Sequence, residues 1–172
     1  FERPKEQVGM EEYIDTTKGL VHQRAAANIV EEEYVLIIDD DVFFPEDAVE
    51  RMYNALQVYG ADGIAPDTFP SQNMRCFSKL GAYMTNTVIG RKNDGWAIRI
   101  RRSGAFSFNK EPEKGAIYPT ESAAGTAVFM KTSVWKAIHY EQEVWIDQFP
   151  AGTFGEDQLM YQKITENGYK LL

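Results

Sequence analysis

Three observations predict an α/β fold in which a mixed sheet is flanked by helices. An uninterrupted apolar run, Tyr34–Ile38, is typical of a strand buried on both faces, the kind found in the middle of a parallel sheet. Apolar residues at helical spacing follow it and lead to a second short strand at residues 63–66, which makes a strand–helix–strand unit. A third strand-like segment at residues 125–130 precedes further segments with helical spacing. The chain of 172 residues is long enough for one domain with a sizeable core.

Three carboxylates, Asp39, Asp40 and Asp41, come directly after the first apolar run. In open α/β sheets, ligands bind beyond the carboxyl ends of the strands. Adjacent carboxylates repel one another, and their desolvation is costly unless a cation or hydrogen bonds compensate. Because hard oxygen ligands suit Mg²⁺ or Mn²⁺ together with substrate phosphates, the segment predicts a metal–diphosphate site. The alternative is a polar loop whose acidic residues favour the positive end of the next helix.

The composition excludes several classes of protein. A net charge of −8 and a pI near 4.8 argue against a general nucleic-acid-binding surface, which is normally basic. No apolar run approaches the length of a transmembrane segment, and nothing at the start resembles a signal peptide. The single cysteine, Cys76, cannot form an internal disulfide and fits a reducing compartment. These features predict a cytoplasmic protein, or one that is peripheral to a membrane through segments missing from this chain.

Both ends of the sequence suggest truncation. The chain begins in a charged stretch and ends on residues 169–172, which have the character of a strand that is just beginning. We therefore expect a single partial domain over residues 1–172, whose sheet lacks neighbours at both ends.

The first third of the chain predicts a short strand at residues 11–15 and a helix at residues 20–30. Arg24 and Asn28 lie near the edge of the apolar face of this helix. A solvated link of three glutamates then leads into the first buried strand. After the aspartates, Pro45 is well placed to begin a helix and Gly60 to end it.

The middle of the chain, residues 67–122, differs in character. Turn signals bracket residues 96–101, in which apolar and basic side chains alternate, and this pattern predicts an antiparallel ribbon or edge elaboration. Arg99, Arg101 and Arg102 could hold a phosphate of an acceptor. Charges that protect the solvent face of an edge strand from pairing explain the same residues, and we favour this explanation.

The last third predicts a strand, a short helix and a longer helix. Thr132 or Ser133 is expected to cap the short helix, in which Trp135 is expected to be a core residue. Glu156 and Asp157 follow a glycine-containing loop and open the longer helix. Alone they are a weak signal, since acidic residues are favoured in the first turn of any helix.

Taken together, four blocks resemble the family-2 glycosyltransferases, which are nucleotide-sugar-dependent enzymes with the Rossmann-type GT-A fold. Residues 23–28 (QRAAAN) resemble the helix with an Arg…Asn pattern, and residues 36–45 (LIIDDDVFFP) the strand with the DxD motif. Residues 124–131 (AGTAVFMK) resemble the small-residue strand on the acceptor side. Residues 155–159 (GEDQL), followed by residues 167–170 (NGYK), resemble the ED motif and its helix exit. A DxD motif with a downstream ED helix is more specific than either motif alone.

The resemblance implies an inverting transfer of a sugar from a nucleotide-sugar donor to a hydroxyl of a saccharide or lipid-linked acceptor. It implies that Asp41 and Asp39 hold Mn²⁺ or Mg²⁺, with Asp39 contacting the ribose or a metal-bound water. Asp40 would contribute to donor binding and exchange roles with Asp41 if the register slips by one. Residues 67–122 would form the acceptor-side elaboration.

The resemblance further implies that Asp157 is the base that takes the acceptor proton, and that Glu156 orients neighbouring backbone or the acceptor. Arg24 and Asn28 would contact the nucleotide, although ordinary ion pairs of a surface helix explain them equally well. Gln158 departs from the family pattern, which often has an acidic residue at this position. The family's first strands, which carry much of the base-binding pocket, have no counterpart in this sequence.

Two other functions fit parts of the sequence. A nucleotidyltransferase also uses carboxylates and Mg²⁺ on an α/β sheet, but it usually needs a glycine- and basic-rich loop for the triphosphate, and the sequence shows none. A non-catalytic fragment that binds a metal or a protein partner would explain an incomplete nucleotide pocket.

Overall fold

The computed structural model describes residues 24, 26–39, 42–66, 88–100, 106–123, 127–143 and 156–172. In chain order its elements are a 3₁₀ helix (Ala26–Ile29), β1 (Tyr34–Ile38), α1 (Ala48–Tyr59), β2 (Gly63–Ile64), β3 (Val88–Arg91), β4 (Ile98–Ile100), β5 (Phe106–Asn109), β6 (Ala127–Lys131), α2 (Thr132–Ala137) and α3 (Glu156–Glu166). The predicted strand at residues 11–15, Cys76 and residues 144–155 lie outside the described residues.

The first sheet has the strand order β1-β6-β2, with β6 antiparallel to both neighbours. Its register pairs Tyr34 with Lys131 and Ile38 with Ala127. An isolated parallel bridge joins Gly63 to Leu171, so the sheet is mixed and the predicted fold class is confirmed. The described neighbour of β1 is nevertheless antiparallel, contrary to the parallel pairing expected from its sequence. An apolar run predicts a sheet that is covered on both faces, but it does not predict the direction of the neighbouring strand.

The first sheet packs on both faces because alternate side chains of each strand point to opposite sides. The prediction that β1 itself is buried on both faces holds only in part, since β1 lies at the end of the described strand order and its Ile38 is 40% exposed. Val35 of β1 and Met130 of β6 face one side, where α2 and α3 contribute to the core. Leu36 and Phe129 face the other side, where α1 packs. The main core beneath α2 and α3 contains Ala27, Val35, Val128, Met130, Val134, Trp135, Ile138, Tyr140, Met160, Tyr161, Ile164 and Leu171.

Helix α1 begins later than its sequence predicts and ends where expected. Pro45 precedes the helix, and its carbonyl accepts a hydrogen bond from the Ala48 N–H at 3.0 Å. Gly60 ends the helix in the left-handed conformation (φ 56°), as predicted. The buried residues of this helix are Met52, Ala55 and Leu56. Met52 and Leu56 are at helical spacing and face the sheet together with Ala55, whereas Val49 and Tyr53, at the same spacing, are exposed.

The predicted helix over residues 20–30 is described only in part. Arg24 is helical and residues 26–29 form the 3₁₀ helix, whereas residues 20–23 and 25 lie outside the described residues. Ala27 is buried in the main core, which agrees with its predicted place on the apolar face. The three glutamates at residues 31–33 are exposed, as a solvated link requires.

Helix α2 follows β6 without a loop. Lys131 occupies the N-cap position without a side-chain capping bond, so the prediction that Thr132 or Ser133 caps this helix is wrong. Both residues lie inside the helix because the strand turns directly into it at Lys131. Trp135 is fully buried, as predicted, and its ring lies 5.6 Å from that of Tyr140.

The second sheet has the order β3-β5-β4 and falls within the predicted elaboration at residues 67–122. Strands β4 and β5 form the predicted antiparallel ribbon, and β3 adds a parallel neighbour. Arg99 lies half-exposed on β4 with its guanidinium 4.9 Å from the centre of the Trp96 ring. Arg101 and Arg102 lie outside the described residues. The position of Arg99 fits a charge on the solvent face of an edge strand.

Asp62, directly before β2, links the end of β6 to the segment after α3. Its carboxylate accepts hydrogen bonds from Lys131 Nζ at 2.8 Å and from the Lys170 N–H at 2.9 Å. Partial burial alone would raise the pKa of Asp62, but the hydrogen bonds from Lys131 and Lys170 and their charges outweigh it and hold this pKa below its usual value. The same hydrogen bond raises the pKa of Lys131. Asp62 is therefore a stabilising ion-pair residue of the sheet.

We expect Asp62→Asn to reduce the free energy of unfolding at neutral pH by about 1–3 kcal/mol, since it removes charged hydrogen bonds. The pKa of Asp62 is lower in the folded protein than in the unfolded chain. The stabilisation by the Asp62 carboxylate is therefore present above the unfolded pKa and is lost as the pH falls through the folded pKa. The difference in free energy of unfolding between wild type and Asp62→Asn should therefore decrease below about pH 4. Urea unfolding of both proteins between acidic and neutral pH measures it, and a constant difference would contradict the assignment.

Candidate active site

Asp39 follows β1 directly and lies at the carboxyl end of this strand. Asp39 is exposed directly after Ile38, and its backbone carbonyl accepts a hydrogen bond from the Val42 N–H at 3.3 Å. Asp40 and Asp41 lie outside the described residues. Among the residues that are described, no group of three or more His, Cys, Asp or Glu side chains is close enough to hold a metal ion.

The segment after α3 joins the first sheet beside β2. After α3, Gly168 (φ 82°) turns the chain, and Leu171 bridges in parallel to Gly63. Gly63 pairs with Met130, which lies opposite Val35 near the start of β1. Helix α3 therefore ends where β1 begins.

Asp157, in the first turn of α3, forms an ion pair with Arg24. The Arg24 side chain is only 9% exposed, whereas that of Asp157 is 29% exposed. The Nη1 atom of Arg24 also contacts the Met160 sulfur at 3.7 Å, so the guanidinium spans almost one turn of α3. The structure thus brings together two predicted site residues that lie far apart in sequence. Glu156 lies at the start of α3, and its side chain is outside the description.

Tyr161 lies one turn further along α3 and is fully buried. Burial raises the pKa of its phenol well above the usual range, and the nearby charge of Asp157 raises it further. The charge of Arg24 acts in the opposite direction. Because the Arg24 side chain is 9% exposed and that of Asp157 is 29% exposed, the pair lies at the boundary between the main core and solvent.

Asn28 forms a hydrogen bond with Glu141, which is not among the predicted site residues. Its Nδ2 atom donates a hydrogen bond to Glu141 at 3.3 Å, and the other oxygen of Glu141 lies 3.3 Å from His139 Nδ1. Burial would raise the pKa of Glu141, but hydrogen bonds from its own backbone, Asn28 and His139 bring it below its usual value. No sequence motif marks Glu141, because its role arises from packing between α2 and the 3₁₀ helix.

The fold is a mixed α/β domain that carries acidic residues after β1 and at the start of α3. The family model for glycosyl transferase family 2 matches residues 15–115, which is more than half of the chain. The chain therefore belongs to glycosyl transferase family 2, and glycosyl transfer from a nucleotide-sugar donor to an acceptor is the activity of its class. Comparisons with curated proteins and with solved structures found no match.

The family match divides the predicted site residues into two groups. Arg24, Asn28 and the three aspartates from 39 to 41 lie within the matched segment. Strand β6 and helix α3, with Glu156 and Asp157, lie beyond its end. The contact between Arg24 and Asp157 is therefore the link between the matched segment and the predicted base. Across the described ranges, no helix is both long and apolar enough to cross a membrane.

Proposed function

We propose that this chain is an inverting glycosyltransferase that moves a sugar from a nucleotide-sugar donor to a hydroxyl of a saccharide or lipid-linked acceptor. The observation that supports it best is the ion pair between Arg24, in the family-matched segment, and Asp157, in the first turn of α3. Helix α3 packs on the same core as Val35 of β1, the strand that leads to Asp39. This shared core supports the proposal that the two acidic sites act together.

In the proposed reaction, the acceptor oxygen attacks the anomeric carbon while the bond from that carbon to the departing diphosphate breaks. The hydroxyl proton passes to the Asp157 carboxylate, which acts as the general base. A single displacement of this kind inverts the anomeric configuration. The Asp157 side chain suits the role because its 29% exposure leaves access for an acceptor while Arg24 holds its orientation. Glu156 is proposed to orient the backbone or the acceptor nearby.

The donor set at the end of β1 suits a divalent cation. Asp39 presents an exposed carboxylate, and oxygen ligands of this type are preferred by Mg²⁺ and Mn²⁺. We propose that Asp41 and Asp39 hold this cation, which when bound would supply Lewis-acid stabilisation of the leaving diphosphate. Asp39 and Asp40 are also proposed to contact the donor. The side-chain amide of Asn28 already donates a hydrogen bond to Glu141. A contact between Asn28 and the nucleotide sugar would therefore use the other polar atoms of Asn28 or would break the hydrogen bond to Glu141.

Calorimetry with UDP, GDP and the corresponding triphosphates, each with and without Mn²⁺, tests the proposed donor class. We expect binding of a nucleoside diphosphate that is strengthened about tenfold or more by Mn²⁺, because a cation held by Asp41 and Asp39 would offset the negative charge of the diphosphate. Asp41→Ala should remove this Mn²⁺ dependence. The matched control is Asp47→Asn at the N-cap of α1, whose side chain is 60% exposed and forms only a 4.0 Å ion pair with Arg51.

Two outcomes of the same titration would contradict the proposal. Binding restricted to triphosphates would indicate a nucleotidyltransferase, since that reaction starts from a triphosphate. If neither class of nucleotide binds, with or without Mn²⁺, the chain is a non-catalytic fragment.

A further inference from the structure

We infer that Arg24 is a positioning residue for the base Asp157 and does not bind the nucleotide. This inference rests on the proposed function, since it assigns a role within the same site. It departs from the role that the family resemblance implies for Arg24, which is contact with the donor.

Burial of Arg24 supports the reassignment. Its side chain is 9% exposed, and the guanidinium is committed to the Asp157 carboxylate and to the Met160 sulfur. A donor phosphate could reach this guanidinium only if it displaced Asp157 or opened the core around fully buried Met160. A buried guanidinium that loses its carboxylate is costly, so the pair resists such an exchange.

The geometry also shows how Arg24 positions the base. Asp157 and Met160 lie almost one turn apart on the same face of α3, and Arg24 contacts both of them. A planar guanidinium offers several N–H groups in a fixed fork, and one such group can hold a carboxylate while another meets a neighbouring side chain. Arg24 therefore restrains the rotation of the Asp157 side chain relative to α3. The partly exposed carboxylate remains accessible to an acceptor hydroxyl.

The experiment compares transfer kinetics of wild type, Arg24→Lys and Arg24→Gln in the full chain, with nucleotide binding measured in parallel. For Arg24→Gln we expect kcat to fall about 10–100-fold, since small displacements of a catalytic group are costly. The donor KM and the diphosphate Kd should stay within about twofold of wild type, because the donor does not touch Arg24. Arg24→Lys should recover part of kcat, and added guanidinium ion should partly restore Arg24→Gln.

Arg51→Gln is the matched control, because Arg51 is 69% exposed on α1 and forms only a 4.0 Å ion pair. It should leave kcat and KM unchanged. Circular dichroism shows whether each variant is folded, and the charge-preserving Arg24→Lys serves if Arg24→Gln does not fold.

The outcomes separate this inference from the proposed function. Weaker nucleotide binding by both Arg24 variants, with kcat preserved at saturating donor, would make Arg24 a donor-binding residue and overturn the inference. An unchanged kcat in Arg24→Gln would overturn it as well, provided that Asp157→Asn is inactive. If Asp157→Asn itself remains active, the proposed base is wrong, and the positioning role is then overturned together with it.

Discussion

Replacement of Asp157 by Asn should abolish sugar transfer and leave nucleotide binding nearly intact. Asn has the shape of Asp and cannot accept the acceptor proton, so the loss expected for a general base is about 10²–10⁴-fold in kcat. Metal-dependent binding of the diphosphate should persist, because it depends on the carboxylates after β1. Steady-state transfer assays and calorimetry on the same protein preparation measure the two quantities separately.

The matched control for this prediction is Glu166→Gln, at the opposite end of the same helix. Glu166 is exposed and accepts a hydrogen bond from Gln162 at 2.6 Å, so its replacement also removes one carboxylate from α3. It should leave kcat within about twofold of wild type, since it lies far from the proposed reacting atoms. Full activity in Asp157→Asn, with Glu166→Gln unchanged, would mean that another group takes the proton.

Replacement of Trp135 by Ala should cost about 3–5 kcal/mol of unfolding free energy, the usual cost of removing a buried aromatic side chain. Trp135 is fully buried and packs beside Tyr140, within the core that also contains Met160 and Tyr161 of α3. The cavity would lie beneath the helix that carries the proposed base. Whole domains are stabilised by only about 5–15 kcal/mol. We therefore expect the midpoint of urea unfolding of Trp135→Ala to lie at a clearly lower urea concentration than that of wild type.

Val58→Ala provides the comparison, because Val58 is an apolar residue of α1 that is 78% exposed. Its free energy of unfolding should change by less than about 0.5 kcal/mol, as surface substitutions usually do. Urea unfolding followed by far-ultraviolet circular dichroism measures both variants. A Trp135→Ala cost as small as that of Val58→Ala would show that the core between the sheet and α3 is not packed as described.

Elements with a strong local signal agree with their sequence-based predictions. Tyr34–Ile38 is a strand because its apolar side chains satisfy both faces of a covered sheet. Gly60 ends α1 because it adopts the left-handed conformation at little cost. Met160 and Ile164 lie one turn apart on α3, and this helical spacing places both of them on its buried face. In each case the residue type and its neighbours are sufficient to favour the observed conformation.

Elements that depend on distant partners were predicted less well. The expected cap at Thr132 or Ser133 is replaced by a direct turn from β6 into α2. This junction is held by Lys131, whose partner Asp62 is 69 residues away in sequence. The direction of the strand beside β1 likewise depends on β6, which begins almost ninety residues after β1 ends and whose approach no local pattern encodes.

The sequence by itself determined the α/β class, the strand at Tyr34–Ile38 and the succession of acidic residues after a strand and at a helix start. These features follow from local periodicity and residue chemistry, and both can be seen directly in the order of the amino acids. The tertiary structure alone decided that β6 lies between β1 and β2, that Asn28 contacts Glu141 and that Arg24 holds Asp157. Such contacts join residues separated by more than sixty positions, and their geometry is set by how strands pair and helices pack on the sheet.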